Sequence, residues 1–73
     1  MEFYQLAQFR EIAECESVSQ AAARLHTSQP ALSAMLKKLE AELHVQLFDR
    51  TKNRIVLNEA GALALRHAKR LLE

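Results

Sequence analysis

Leucines recur at helical spacing in the middle of this chain, and that recurrence constrains the fold more than any other feature. At about 100° per residue, four of them fall within one narrow arc of a helix. These are Leu32, Leu36, Leu39 and Leu43, with Met35 at the margin of the arc. We predict a helix whose leucine face is buried in the core of a small domain.

The residues just before the leucines specify where this helix begins. Thr27 or Ser28 can cap it, and Pro30 suits its first turn, where a missing amide hydrogen costs nothing. Glutamates come only in the last turns, so a polyanion can approach the N-terminal half without repulsion. The face opposite the leucines is small, neutral or basic, and holds Pro30, Ser33, Ala34, Lys37 and Ala41, with Gln29 intermediate near the helix start.

Length and composition define the class of domain. The 73 residues allow one domain with one small core. Hydrophobic residues make up 49% of the chain, with one Gly and one Pro, which is too apolar for disorder and too poor in turn formers for an all-β fold. A single cysteine excludes an internal disulfide, and the sequence has neither an export leader nor a membrane-spanning apolar run. We expect a mainly α domain in the cytoplasm, with no membrane contact.

Two shorter apolar patterns precede the leucine helix. A first helix at about residues 3–15 places its apolar side chains on one stripe and Gln8 toward water. A second helix at about residues 19–25 has Ser19 as its predicted cap and small alanines on its inner face, which permit close approach of a neighbouring helix. Together the three helices predict a three-helix core.

A basic hairpin is predicted after the leucine helix. Runs that favour β structure at residues 47–50 and 54–57 flank Thr51-Lys52-Asn53. The whole chain has a net charge of +1, but residues 44–58 hold three basic residues against one acidic residue. A capped helix followed by a basic hairpin suits a protein that lays one helix in the major groove of DNA and sets a wing beside it.

A last helix is predicted from Asn58, a good N-cap residue, to the end of the chain. It has two apolar stripes, one with Gly61, Leu65, Ala68 and Leu72 and the other with Ala60, Leu63, Ala64 and Leu71. One stripe can pack on the domain core and the other on a second copy, so we expect a homodimer through Leu63, Ala64, His67 and Leu71. The chain stops within the helical pattern, so we expect it to be the N-terminal part of a longer protein.

Several short motifs stand in one order at tight spacing and together resemble the DNA-binding domain of LysR-type transcriptional regulators. They are Ala21-Ala22-x-x-Leu25, Ser28-Gln29-Pro30-Ala31-Leu32-Ser33, Leu39-Glu40, Leu47-Phe48-x-Arg50 and Leu57-x-x-Ala60-Gly61. No single motif would suffice, but the set covers essentially the whole chain.

The resemblance implies a bacterial winged helix-turn-helix that binds double-stranded DNA sequence-specifically. Residues 1–57 would form the DNA-binding domain, with a recognition helix at about 28–43 and a basic wing at 50–54. Residues 58–73 would begin a linker helix that joins two copies on an interrupted inverted repeat. A domain that senses a small-molecule inducer would follow in the parent protein, and no cofactor is expected in this fragment.

Each predicted DNA contact on the recognition helix has a physical reason. Gln29 can pair with adenine, since its amide both donates and accepts hydrogen bonds. Ser33 and Lys37 lie one turn apart and would reach phosphates or base edges; otherwise they are ordinary surface residues. Thr27 and Ser28 can orient a phosphate while capping. Pro30 can pack against a thymine methyl group, although starting the helix is a sufficient role for it.

The wing residues Arg50, Lys52, Asn53 and Arg54 would place cations and an amide beside the duplex. An arginine in the minor groove favours narrow, A·T-rich segments. The alternatives are a solvated basic turn and, for Arg50, a pairing within the domain that braces the wing.

Three positions depart from the family pattern that the motifs resemble. Family members usually carry a basic residue at the position of Ala34, a glutamine at Met35 and a glycine at His44. Ala34 removes a base or phosphate contact, and His44 lies where a helix should end with positive φ. Asn58, where the family prefers threonine, is a conservative change of cap.

Catalysis and metal binding have little support in the sequence. Cys15 with His26, His44 or His67 lacks the spacing of metal ligands, and a chain with one glycine has no glycine-rich phosphate loop. We therefore expect no enzyme and no metal site. The competing class is a helical protein-interaction module that uses the last helix, in which the basic hairpin only solubilises the domain.

Overall fold

Four α-helices and one two-stranded antiparallel sheet form residues 2–73, the part of the chain that the computed structural model describes. In chain order the elements are α1 (Phe3–Cys15), α2 (Val18–Arg24), α3 (Gln29–Leu43), β1 (Phe48–Arg50), β2 (Ile55–Leu57) and α4 (Glu59–Leu72). The predicted mainly α fold with a three-helix core, a two-stranded wing and a last helix is confirmed. None of these helices is long and apolar enough to cross a membrane.

The leucine face of α3 forms the centre of the core. Its most buried members, each at most 2% exposed, are Leu32, Leu36 and Leu39. Phe9 of α1 meets Phe48 of β1 edge to face, with ring centroids 5.6 Å apart, and this contact ties the wing to the core. Leu43, predicted to be in the core, is only half-buried because α3 ends there.

The burial of α1 differs from its predicted single stripe. Gln8 is only 8% exposed, so the prediction that it faces water is wrong. The reason is that α1 packs against α2, α3 and α4, and its buried face is therefore wider than one stripe. The helical period of α1 alone carries no information about how many neighbours cover it.

Serine side chains cap the N-termini of α2 and α3, the two helices that flank the turn at residues 25–28. Ser17, rather than the predicted Ser19, caps α2, and its Oγ accepts a hydrogen bond from the Gln20 amide at 3.2 Å. Val18 is buried, so the helix begins where this apolar side chain enters the core, one residue earlier than predicted. For α3, Ser28 rather than Thr27 is the cap, with its Oγ 3.2 Å from the Ala31 amide nitrogen.

An ion pair connects the end of α2 to α1. The Nη1 of Arg24 donates a hydrogen bond to the Oε1 of Glu11 at 3.1 Å. This hydrogen bond raises the pKa of Arg24 above its ordinary value. The Arg24 side chain is largely exposed, and such pairs contribute little to the free energy of unfolding.

Asn58 attaches α4 to the loop before the wing. Its Oδ1 accepts a hydrogen bond from the Gly61 amide at 2.8 Å, which caps α4 as predicted. Its Nδ2 donates to the Gln46 carbonyl at 2.9 Å, and its amide donates to the Leu47 carbonyl at 3.0 Å. The first stripe of α4 faces the core, with Gly61 and Ala68 buried. The start of α4 therefore has a fixed position relative to the wing.

The backbone of His44 has the left-handed conformation predicted for it. Its φ is 57°, and α3 ends there with the His44 amide bonded to the Ala41 carbonyl at 3.3 Å and the Val45 amide bonded to the Glu40 carbonyl at 3.2 Å. A left-handed residue with a side chain is less stable in this conformation than glycine.

Replacing His44 with glycine is expected to raise the free energy of unfolding by about 1 kcal/mol, because glycine removes the steric cost of the left-handed backbone. Urea denaturation followed by circular dichroism measures the change. Ala34→Gly is the control, since Ala34 is exposed within α3 and the substitution there should lower the same quantity by about 1 kcal/mol. A lower stability for His44→Gly would contradict the argument.

Candidate nucleic-acid interface

The outward face of α3 is open over its N-terminal half. Gln29, Pro30, Ala34 and Lys37 are exposed, and Ser33 is half-buried because it lines a groove beside the wing. The glutamates of α3 lie in its last turns, where Glu40 accepts a hydrogen bond from the Leu47 amide at 2.7 Å. No carboxylate of α3 therefore lies near its N-terminal face.

The N-terminus of α3 presents two backbone amides to an anionic group. The Oγ of Ser28 accepts a hydrogen bond from the Ala31 amide, and the Ser28 carbonyl accepts one from the Leu32 amide at 3.1 Å. Pro30 has no amide hydrogen, which leaves the amides of Ser28 and Gln29 without an intrahelical partner. Amides at a helix N-terminus, together with its positive dipole, favour a phosphate there. Thr27 is half-buried beside this turn.

The wing is a short hairpin with an exposed basic tip. Its strands pair in the register Phe48 with Leu57, Asp49 with Val56 and Arg50 with Ile55. The Thr51 amide donates to the Arg54 carbonyl at 2.9 Å and closes the turn. Phe48 and Ile55 face the core, while the remaining side chains of the tip are exposed, namely Arg50, Thr51, Lys52, Asn53 and Arg54.

A groove of about 400 Å³, here called the wing groove, lies between the start of α3 and the wing. Six of the predicted DNA-contacting residues line it: Gln29, Ser33, Arg50, Lys52, Asn53 and Arg54. The other four, Thr27, Ser28, Pro30 and Lys37, lie on α3 or the turn before it but outside this groove. The fold thus brings two distant segments of the sequence to one polar surface.

One wall of the wing groove was missed by the sequence analysis. Glu16 and Ser17 at the turn between α1 and α2, and Ser19 in the first turn of α2, also line the groove. The Nη2 of Arg54 donates a hydrogen bond to the Oε1 of Glu16, so the basic tip has a carboxylate partner. Nothing in the local sequence around Glu16 indicates this pairing, because the two residues are 38 positions apart.

The second apolar stripe of α4 is only partly exposed. Leu63 is 51% exposed and Leu71 is 61% exposed, and His67 between them is exposed as well. Ala64 differs from them because it is half-buried and packs against the core of its own domain. The open surface is therefore the line Leu63, His67 and Leu71, one helical turn apart from each other.

Cys15 is half-buried, with its Sγ 3.8 Å from the Oε1 of Glu11. Across residues 2–73, no three His, Cys, Asp or Glu side chains group in a way that could hold a metal ion.

Comparison with known proteins identifies the family. The sequence model described as the bacterial regulatory helix-turn-helix protein, lysR family, matches residues 3–62. The chain belongs to the LysR family. HTH-type transcriptional regulator TcbR of Pseudomonas sp. (strain P51) is 44% identical over 73 residues, which is 100% of this chain and 25% of TcbR. HTH-type transcriptional regulator BsdA of Bacillus subtilis (strain 168) is 45% identical over 99% of this chain and 25% of BsdA. This LysR-family chain thus spans about a quarter of the length of those relatives.

Solved structures of LysR-type domains have the same fold as this LysR-family chain. The crystal structure of the CbnR DBD–DNA complex matches with a TM-score of 0.94 and 43% identity, covering 99% of this chain and 83% of that one. The BenM DBD/benA site 1 DNA complex matches with a TM-score of 0.93 and 33% identity, covering 99% and 81%. The sequence-based prediction of the family and of a winged helix-turn-helix is confirmed.

The departures from the usual LysR pattern lie in different environments. Ala34 is exposed on the outward face of α3, so the usual basic side chain would find open space there. Met35 is half-buried against the core, and His44 takes the left-handed conformation at the end of α3. Asn58 caps α4, and its side chain also donates a hydrogen bond to the Gln46 carbonyl.

Proposed function

We propose that this chain is the DNA-binding part of a bacterial transcriptional regulator that recognises double-stranded DNA sequence-specifically. The observation that carries the proposal is the wing groove, because it joins the open N-terminal face of α3 to the exposed cations of the wing. α3 would lie in the major groove, and residues 50–54 would lie against the minor groove or the backbone. The relatives' role as transcriptional regulators supports the proposal and gives no support to an enzyme.

The proposed contacts divide into base reading and phosphate binding. Gln29 is exposed at the start of α3 and would read adenine, with Ser33 and Lys37 reaching phosphates or base edges further along. The turn before α3 would hold a phosphate on the amides of Ser28 and Gln29, beside the Thr27 hydroxyl. The Thr27 amide is not available for this, because it donates to the Ala22 carbonyl at 3.0 Å. On the wing, Lys52 and Asn53 would contact the backbone beside Arg50, and Arg54 would reach the minor groove.

We further propose that two copies join through α4 and bind an interrupted inverted repeat. The exposed Leu63 and Leu71, with His67 between them, support this surface, while Ala64 would contribute at its edge. Residues 58–73 would then begin a linker helix after the DNA-binding domain of residues 1–57. A cytoplasmic location and a downstream domain that senses an inducer belong to the same proposal. Sedimentation that shows only monomer at high protein concentration would reject the dimer for this chain.

The same exposed leucines support a second candidate function, a protein-interaction module without DNA binding. Selection of bound sites from random duplexes separates the two, since it reports operator sequence, half-site spacing and dimer symmetry together. Titration of the selected duplex at several salt concentrations should show affinity that falls steeply as salt rises, because phosphate contacts release counterions. Absence of binding even at low salt would favour the interaction module.

Gln29→Ala and Lys52→Ala are expected to weaken DNA binding in different ways. Gln29→Ala should cost about 1–3 kcal/mol and relax preference at one base position, because it removes a paired hydrogen bond to a base. Lys52→Ala should weaken all sequences nearly alike and reduce the salt slope by about 1, because it removes a phosphate contact. Competition binding with selected and scrambled duplexes measures both. Equal, sequence-independent losses would contradict base reading by Gln29.

A further inference from the structure

Glu16 holds the wing by two separate bonds. Its carboxylate accepts a hydrogen bond from the Nη2 of Arg54, and its main-chain carbonyl accepts one from the Ile55 amide at 3.2 Å. The two bonded residues are neighbours at the end of the wing turn. The junction between α1 and α2 is therefore fastened to the same point of the hairpin through both backbone and side chain.

Hydrogen bonds fix the backbone on both sides of the contact between Glu16 and Arg54. Glu16 ends α1 in a left-handed conformation with φ of 52°, and its amide bonds to the Ile12 carbonyl at 2.9 Å. The Arg54 carbonyl accepts hydrogen bonds from the amide and the hydroxyl of Thr51, at 2.9 and 3.3 Å. The exposed Arg54 side chain extends from this fixed backbone, and the Glu16 carboxylate accepts a hydrogen bond from its guanidinium.

We infer that Glu16 is a positioning residue that holds the Arg54 guanidinium at the edge of the wing groove for insertion into the DNA minor groove. This inference rests on the proposed function. An arginine has five N–H donors, so the bond to Glu16 leaves others for bases and sugars. A restrained side chain loses less conformational freedom on binding than a free one, so Glu16 favours the one wing geometry that reads groove width.

The negative charge of Glu16 and its restraint on Arg54 should affect DNA binding in different ways. The Glu16 carboxylate lies in the groove that would face DNA, so its negative charge opposes phosphates on every sequence equally. Removing that charge should raise affinity for all duplexes alike. Removing the restraint on Arg54 should instead lower the specificity ratio, defined as the affinity for the selected duplex divided by that for a scrambled one.

The test compares Glu16→Gln with Glu14→Gln. Both substitutions remove one negative charge, but Glu14 is exposed at the end of α1 and does not line the wing groove. Glu16→Gln keeps the backbone bond to Ile55, so its unfolding midpoint should match that of the unchanged chain. Glutamine keeps a side-chain oxygen, but its neutral amide holds a guanidinium more weakly than a carboxylate does. We therefore expect Glu16→Gln to weaken the restraint, to lower the specificity ratio by about two- to fivefold and to broaden base preference under the wing, while Glu14→Gln keeps the ratio.

An Arg54→Ala background completes the experiment. There, Glu16→Gln should cause no further loss of the specificity ratio, because the side chain that it positions is gone. Equal ratios for Glu16→Gln and Glu14→Gln, or an equal loss with and without Arg54, would overturn the positioning role while the proposed function stands. Failure of the unchanged chain to distinguish selected from scrambled duplexes would overturn both.

Discussion

Replacing Gly61 with alanine is expected to lower the free energy of unfolding by about 3 kcal/mol. A Cβ at this position would lie 2.0 Å from the Leu47 carbonyl oxygen and 2.8 Å from the Cδ2 of Leu57. The Leu47 carbonyl is backbone and already accepts the Asn58 amide at 3.0 Å, so it cannot move away without loss of that bond. A domain of this size has roughly 3–5 kcal/mol of stability, so the variant should keep only about 0–2 kcal/mol and unfold at a much lower temperature.

Thermal denaturation followed by circular dichroism measures this effect, with Ala62→Gly as the control. Ala62 is exposed on α4, and its change to glycine should cost only about 1 kcal/mol through helix propensity. If Gly61 had no close neighbours, its change to alanine would raise the free energy of unfolding by about 1 kcal/mol through helix propensity. The contact with Leu47 reverses this, so we expect the free energy of unfolding to fall. A Gly61→Ala chain that melts at or above the temperature of the unchanged chain would contradict the close contact.

The close contact at Gly61 also fixes the position of α4 relative to the proposed DNA interface. Because the helix start approaches the Leu47 carbonyl so closely, α4 is fixed to the loop residue that directly precedes β1 of the wing. Asn58 adds side-chain bonds to Gln46 and to the Gly61 amide on either side of this contact. A second copy bound to α4 would therefore be held at a fixed distance from the wing, which is what recognition of two half-sites requires.

Local chemistry made the helices and the wing predictable from sequence. The bounds of α1 and the end of α3 follow from apolar spacing. Asn58 was recognised as a cap by its residue type and position, and Ser28 was one of two predicted alternatives for the cap of α3, with Thr27. The positive φ of His44 was expected at the end of α3, where the family that the motifs resemble usually carries glycine. Each of these features depends on residues within one or two helical turns, so the sequence contains the necessary information.

Contacts between distant segments were not predictable in the same way. Ser17 instead of Ser19 caps α2 because the buried Val18 belongs to the helix, and burial is decided by the rest of the core. Gln8 is covered because several helices pack against α1. The pairing of Glu16 with Arg54 joins two turns that only the folded chain brings together. The polar residues of the candidate site were thus identifiable, but the third wall of the wing groove was not.

Replacing Ser33 with glutamate is expected to weaken binding to the selected duplex by about 100-fold, which equals about 2.7 kcal/mol. Ser33 is half-buried where α3 faces the wing, so a carboxylate there would meet phosphates or pair with the wing cations that should bind them. Either outcome removes favourable electrostatics at the centre of the proposed interface. Glutamate is a good helix former, so the free energy of unfolding should change by only about 0.5 kcal/mol.

Ala62→Glu is the matched control for Ser33→Glu, because it adds the same charge at an exposed position of α4 that does not line the wing groove. Its effect measures the general repulsion between the more acidic chain and DNA, which salt should largely screen. Fluorescence anisotropy with the selected duplex gives both dissociation constants under one salt condition. The loss for Ser33→Glu should exceed that for Ala62→Glu by at least about tenfold, since only the former places its charge between α3 and the wing. Equal losses would mean that DNA does not enter this region, and that α3 is not the element that reads the major groove.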